Sequence, residues 1–247
     1  ILFTNDLIEN LSWLGEPELF LECSGQYNSK KDCNNFANGS TKLVIISATA
    51  WDADQTLIYG FNHDKFNQSS RVISYGSCTV NAYVPLANII NKEFGILNSD
   101  TNVIHNIQNY KLKNFNTLQR KFCTLERSGI LLLDFLDENN FKVNYTLIPF
   151  DGPSIIDYRF KLKKSIKIDD FITFLTNKLE EEHYHGLYKI INKDNGPEKT
   201  KFSSYSSEIV RENAKILNDN LYLFSYFDNE NSGNRYFDLI NYIAKRI

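Results

Sequence analysis

The stretch Ser77-Cys78-Thr79-Val80-Asn81 holds the side chain best suited to covalent chemistry. A cysteine sulfur is a strong nucleophile once ionised, and its setting here favours the anion. Upstream, the apolar run 71–74 reads as a short buried strand, with Gly76 close to the turn. Downstream, Val80, Val84, Ala87, Ile90 and Phe94 recur at helical spacing and stop at Gly95. Cys78 is therefore expected at or beside the first turn of a helix. Unpaired backbone N–H groups and the positive end of the dipole favour negative charge there. The competing reading is a cysteine that simply packs as a small hydrophobe.

Four histidines could act as acid, base or ligand. Read alone, His105 is a satisfied core histidine, and His63, between Asn62 and Asp64-Lys65, belongs to a surface turn. His183 and His185 follow Glu180-Glu181-Glu182, which brings a metal to mind. Residues two apart do not share a helix face, so a solvated helix end is the expectation, and no metal site is assigned. Cys23, Cys33, Cys78 and Cys123 show no CxxC spacing and read as reduced thiols of a cytosol-like compartment.

The elements that must position these groups fall into two sets. Over residues 1–77, strands at 19–22, 43–47 and 57–60 alternate with an amphipathic piece near 30–38, a pattern of strand and helix units. After the helix at Cys78 come strands at 101–107, 142–148, 155–162, 214–217 and 221–227. Asp169 or Asp170 is placed to cap a helix carrying Phe171, Ile172, Phe174, Leu175 and Leu179. A last helix is expected from about Asn234. Mostly antiparallel strands with helices on one face make an α+β substrate domain.

With 247 residues the chain can build one large or two modest domains. Its net charge of −3 offers no basic surface for nucleic acid or an anionic membrane. No apolar run reaches spanning length and no signal peptide is recognisable, so a cytoplasmic site is expected.

The nucleophile segment resembles the Ser-Cys-Thr-Thr-Asn signature of glyceraldehyde-3-phosphate dehydrogenases, with Val80 in place of the second Thr. The likeness runs on in the same order. Val44-Ile45-Ile46-Ser47-Ala48 resembles the last Rossmann strand before the nucleophile, and Tyr59–Phe66 resembles a Gly-Val-Asn-His-Glu-Lys-Tyr run. Val103-Ile104-His105-Asn106-Ile107 sits where the family has Val-His-Ala-Ile-Thr, and 217–220 and 227–235 match the closing strand and helix. Only 108–153 is weak.

This resemblance implies an α/β plus α+β fold: a partial Rossmann nucleotide-binding sheet over 1–77, a mostly antiparallel catalytic domain over 78–230, and a C-terminal helix over 231–247 packing back on the nucleotide domain. It implies that Cys78 is the nucleophile and that His105 holds it as thiolate and polarises the substrate carbonyl. It assigns NAD or NADP contacts to Ser24, Gly25, Ser47 and Asn229, and substrate phosphate contacts to Ser77 and Thr79. No G-x-G-x-x-G phosphate loop occurs, so the chain is read as starting inside the nucleotide domain, a fragment of a longer polypeptide.

Departures shape the expected activity. Gln108 and Tyr110 replace the Thr and Asp after the histidine, and the Arg-bearing loop is compressed into 110–116. Cys123-Thr124-Leu125-Glu126-Arg127 stands where a Ser-Thr-Gly turn would be, and Ile148-Pro149-Phe150-Asp151 replaces a Phe-Arg-Val-Pro run. Losing an arginine fork is not conservative for phosphate binding. Lys111, Lys113, Arg120, Lys121 and Arg127 are the available substitutes. The resemblance thus implies a small aldehyde other than, or beyond, glyceraldehyde 3-phosphate as partner, and a homodimer or monomer rather than the family's tetramer. The alternative function is a non-catalytic or moonlighting relative that keeps the fold as a binding or assembly protein.

Overall fold

A computed structural model describes residues 4–107 and 117–247, apart from the side chains of residues 9 and 229–231. The described chain forms two compact units. The first holds the chain up to Ile58, then Asn62–Gly76 and Asp238–Ile247; the second holds Tyr59–Phe61 and Ser77–Phe237.

The first unit is built on a parallel sheet. Strands β1 (Leu19–Glu22), β2 (Leu43–Ile46), β3 (Gln55–Thr56) and β4 (Val72–Ser74) lie in the order β1-β2-β4-β3, and every pairing is parallel. All four residues of β2 are buried, as expected for a parallel strand covered on both faces. The short helix α1 (Lys30–Cys33) starts at Ser29, whose side chain accepts from the Asp32 N–H. Phe20, Cys33, Phe36, Val44, Ile46 and Val72 belong to one apolar cluster.

Two expectations change here. The apolar pair Leu57-Ile58 is buried but forms no strand. The Asn62 side chain accepts from Ile58 N–H at 2.7 Å and donates to Thr56 C=O at 2.9 Å, which converts the segment into a turn. His63 is not a surface residue: it is buried, with its ring 4.8 Å from that of Tyr242. Leu239 and Ile243 of the same late segment are also buried.

The second unit carries helix α2 (Cys78–Phe94), strand β5 (Ile96–His105), strand β6 (Gln119–Arg120), helix α3 (Thr124–Leu132) and strands β7 (Phe141–Leu147) and β8 (Ser154–Leu162). These are followed by helix α4 (Ile168–Leu179), strands β9 (Tyr188–Ile191), β10 (Ser207–Val210), β11 (Lys215–Leu217) and β12 (Asn220–Phe227), and helix α5 (Asn229–Ala244), of which the residues up to Phe237 belong to this unit. The sheet runs β6-β7-β5-β8-β12-β10-β9, with β11 on β12. It is mixed: β5–β7 and β9–β10 are parallel and the other pairings antiparallel. An α/β unit and an α+β unit thus make up the chain.

Helix α2 is buried almost all round, which marks it as the core helix of this unit. Gly95, at φ 68°, ends it, and the chain passes at once into β5, five residues earlier than expected. The helix at 168–179 is present, but its first flanking residue is Lys167 and no side chain caps it. Asp169 and Asp170 lie inside the first turn, where they oppose the positive end of the dipole. The last helix begins at Asn229 rather than Asn234. Helix α3 and strands β9 and β10 had no counterpart in the sequence reading.

Candidate active site

Cys78 is the first residue of α2. Ser77 caps it: its Oγ accepts from Val80 N–H at 3.3 Å, while Asn81 ties back to the Ser77 carbonyl through its N–H at 2.9 Å and its Nδ2 at 3.0 Å. Gly76, at φ 85°, supplies the left-handed turn that swings the chain from β4 into the helix. Cys78 is half-buried.

Its sulfur lies 3.3 Å from His105 Nε2. His105 is the last residue of β5 and is buried, 8% exposed. Both flanks hold it: Ile148 N–H donates to its carbonyl at 3.0 Å, and Ser154 Oγ accepts from the next N–H, that of Asn106, at 3.0 Å. His105 Nδ1 stands 2.8 Å from the Asn106 carbonyl, which only accepts, so Nδ1 carries a hydrogen and Nε2 faces the sulfur. Burial opposes a charge on this ring. The charge and hydrogen bond of Cys78, then the Asn106 carbonyl and Asp228, outweigh it and lift the pKa above the ordinary 6.5. Tyr145 and Phe227 place their rings 5.6 Å from the imidazole, tilted and edge-on.

A second helix start comes to the same place. Ser77 Oγ lies 2.9 Å from the hydroxyl of Thr124, the first residue of α3. Cys123, which precedes it, is buried, and burial with the nearby Cys78 pushes its thiol up to about 12 despite a hydrogen bond with Thr79. Thr79 is itself buried, its Oγ1 3.8 Å from the Cys78 sulfur. Ser77, Cys78, Thr79 and His105 therefore share one locality, joined by Thr124, Cys123 and Tyr145. The Cys-Thr pair before Leu125 is the one sequence signal that could have revealed α3.

Ser24, Gly25 and Ser47 lie in the first unit, just past the carboxyl ends of β1 and β2. Ser24 bonds the Glu22 carboxylate through its N–H at 3.0 Å and through its hydroxyl, and Ser47 N–H donates to the Glu22 carbonyl at 2.9 Å. Glu22 Oε2 and Thr49 Oγ1 beside them are buried with no hydrogen-bond partner among the described residues. Open α/β sheets bind ligands at the carboxyl ends of their strands, so these orphaned atoms fit a polar ligand such as a nucleotide. The side chain of Asn229, and Gln108, Tyr110, Lys111 and Lys113, lie outside the described residues. Arg120 is committed to β7, donating to Thr146 at 3.1 Å and Asn144 at 2.9 Å. Among the described residues no three potential ligands converge on a metal position, and no helix is long and apolar enough to cross a membrane.

No family model matches the chain. Curated relatives do. The glyceraldehyde-3-phosphate dehydrogenase of Mycolicibacterium smegmatis is 26% identical over 253 aligned residues, which cover 93% of this chain and 71% of that protein. That of Mycobacterium avium is 27% identical over 250 residues with the same coverage. These similarities support a divergent member of the glyceraldehyde-3-phosphate dehydrogenase family. Over a shorter stretch of 99 residues, 39% of this chain and 29% of the relative, the glyceraldehyde-3-phosphate dehydrogenase of Lactobacillus delbrueckii subsp. bulgaricus is 36% identical. This similarity and the Cys78–His105 geometry rest on separate observations.

Proposed function

We propose that this chain oxidises an aldehyde through a covalent intermediate on Cys78, as a cytoplasmic NAD- or NADP-linked dehydrogenase. The observation that carries this reading is the 3.3 Å approach of Cys78 Sγ to the buried His105 Nε2. In the ion pair, the imidazolium holds the sulfur as thiolate, which adds to the carbonyl carbon and forms a hemithioacetal oxyanion. His105 Nε2–H and the Cys78 backbone N–H, which has no partner inside the helix, are the donors for that oxyanion. The Nε2 proton passes to the oxyanion, giving a hydroxyl and a neutral imidazole, which takes that proton back as the carbon loses its hydride. A bound nicotinamide, held by Ser24, Gly25, Ser47 and Asn229, would supply the hydride acceptor. The acyl group left on Cys78 is a thioester, released to phosphate or water.

Ser77 and Thr79 are proposed to face the substrate, with Thr124 added by its hydroxyl contact to Ser77. The assembly is proposed to be a homodimer, which sedimentation would test. The decisive experiment is a panel of aldehydes with NAD and with NADP, read by absorbance of the reduced nicotinamide and by mass of the Cys78 peptide. An acyl mass on Cys78 with nicotinamide reduction is expected. Reduction by none of the aldehydes, with no acyl mass, would favour the binding or assembly relative instead.

A further inference from the structure

Helix α2 has a fault two turns beyond Cys78. Pro85 lies inside it and has no N–H, so the Asn81 carbonyl loses the donor that a continuous helix supplies, and the ring crowds that carbonyl. Asn81 and Ala82 are buried, so bulk water cannot stand in.

Two tyrosine hydroxyls meet the main chain at this fault, chiefly at the Ala82 carbonyl. Tyr188 Oη accepts from Leu86 N–H at 2.9 Å and donates to the Ala82 carbonyl at 2.8 Å, with the Asn81 carbonyl 3.5 Å away. It therefore spans the main chain on both sides of Pro85. Tyr158 Oη reaches the same Ala82 carbonyl at 3.0 Å and accepts from Ser225 Oγ at 3.2 Å. Burial pushes both phenols up, Tyr158 to about 12, so both remain neutral donors. A hydroxyl in this apolar setting is costly unless bonded, and these backbone groups are what it bonds. From the kink the path to the sulfur is short: Asn81, next to Ala82, fastens through its N–H and Nδ2 to the carbonyl of Ser77, the neighbour of Cys78.

We propose that the Tyr188 hydroxyl, backed by Tyr158, is a positioning group for Cys78. By bridging α2 across Pro85 it sets the direction of the first turn and so the approach of the sulfur to His105 Nε2. This rests on the reading of Cys78 as nucleophile.

The test is the pH–rate profile of Cys78 alkylation by iodoacetamide, followed on the Cys78 peptide, with the melting temperature measured alongside. Tyr188→Phe keeps the ring and deletes the bridge; alkylation at pH 7 falls about fivefold, the factor equivalent to one net hydrogen bond, and the profile moves to higher pH. Tyr158→Phe removes one of two donors to the Ala82 carbonyl and slows alkylation about twofold. Tyr83→Phe is the control. It deletes an equally buried hydroxyl of α2 that donates to Ser99 Oγ at 2.8 Å, not to the helix backbone. It lowers the melting temperature and leaves the profile in place. A Tyr188→Phe profile superimposable on the parent's, or a Tyr83→Phe loss as large as that of Tyr188→Phe, overturns the proposal. If Tyr188→Phe does not fold, Tyr158→Phe against Tyr83→Phe decides in the same terms. A parent Cys78 no faster than Cys33 or Cys123 defeats the nucleophile reading and this proposal with it; a reactive parent with an unmoved Tyr188→Phe defeats the positioning role alone.

Discussion

Cys78 and Cys123 both stand at the start of a helix, yet their surroundings assign them opposite chemistry. Cys78 opens α2, is half-buried, and meets the imidazole of His105 at 3.3 Å. Cys123 precedes the first residue of α3, is 3% exposed, and its thiol is pushed up to about 12, chiefly by burial. The dipole and free N–H groups of a helix start are common to both, so they cannot be what separates them. Burial without a cation suppresses the anion; a buried imidazole in contact stabilises it. A helix start is permissive, and the partner decides.

Substitutions can break or sharpen that contrast. The largest effect is expected from Cys78→Ser, which removes the acyl-carrying sulfur. The Cys78-peptide acyl mass disappears and turnover drops by about a thousandfold or more. Removing the partner comes next. His105→Asn slows alkylation of Cys78 at pH 7 by roughly tenfold to a hundredfold, and a rate within twofold of the parent would remove His105 from the mechanism.

The same variant tests the sign of the pH dependence. Because the folded protein holds His105 above 6.5, protonated His105 favours the fold. Its contribution is complete below the unfolded value and is lost as pH rises through the raised folded value. The stability gap between parent and His105→Asn should therefore be widest in mild acid and close on the alkaline side; chemical denaturation at several pH values would show it. The opposite trend would mean that the imidazole is held neutral.

Labelling probes the second member of the pair directly. Burial pushes Cys33 and Cys123 up to about 12, so native protein at neutral pH should alkylate Cys78 well before either. Rapid native labelling of Cys123 would show that burial does not dominate at α3, and unfolding the protein should abolish the difference. The smallest effect belongs to the cap. Ser77→Ala loses the Val80 N–H acceptor and the contact with Thr124, costing about 1 kcal/mol in denaturant unfolding.

The sequence revealed the elements whose signals are local. Apolar spacing through Val80, Val84, Ala87, Ile90 and Phe94, with Gly95 as stop, placed Cys78 at or beside the first turn of α2, where it stands. The alternating face of β8 and the run of β12 were equally readable. What failed depended on distant partners. The polar neighbours of His63 suggested a surface, but Tyr242 covers its ring from far along the chain. Leu57 and Ile58 had the composition of a strand until the Asn62 amide closed a turn around them. Helix α3 buries only Leu125, Ser128 and Gly129, too narrow a stripe for periodicity to register. For the site, the order of motifs singled out Cys78 and His105, while Thr124 and Tyr188 enter only through contacts that no spacing announces.

The first unit is completed by residues made after the second. Asp238–Ile247 belong to the same compact body as β1 to β4, and Leu239 and Ile243 are fully covered within the fold. On the ribosome, residues 77–237 must be translated in between, which at roughly 5–20 residues per second takes about 10–30 s. Throughout that interval the first unit lacks this segment, so chaperone capture of the growing polypeptide should concentrate there and end only when Leu239 and Ile243 emerge from the exit tunnel.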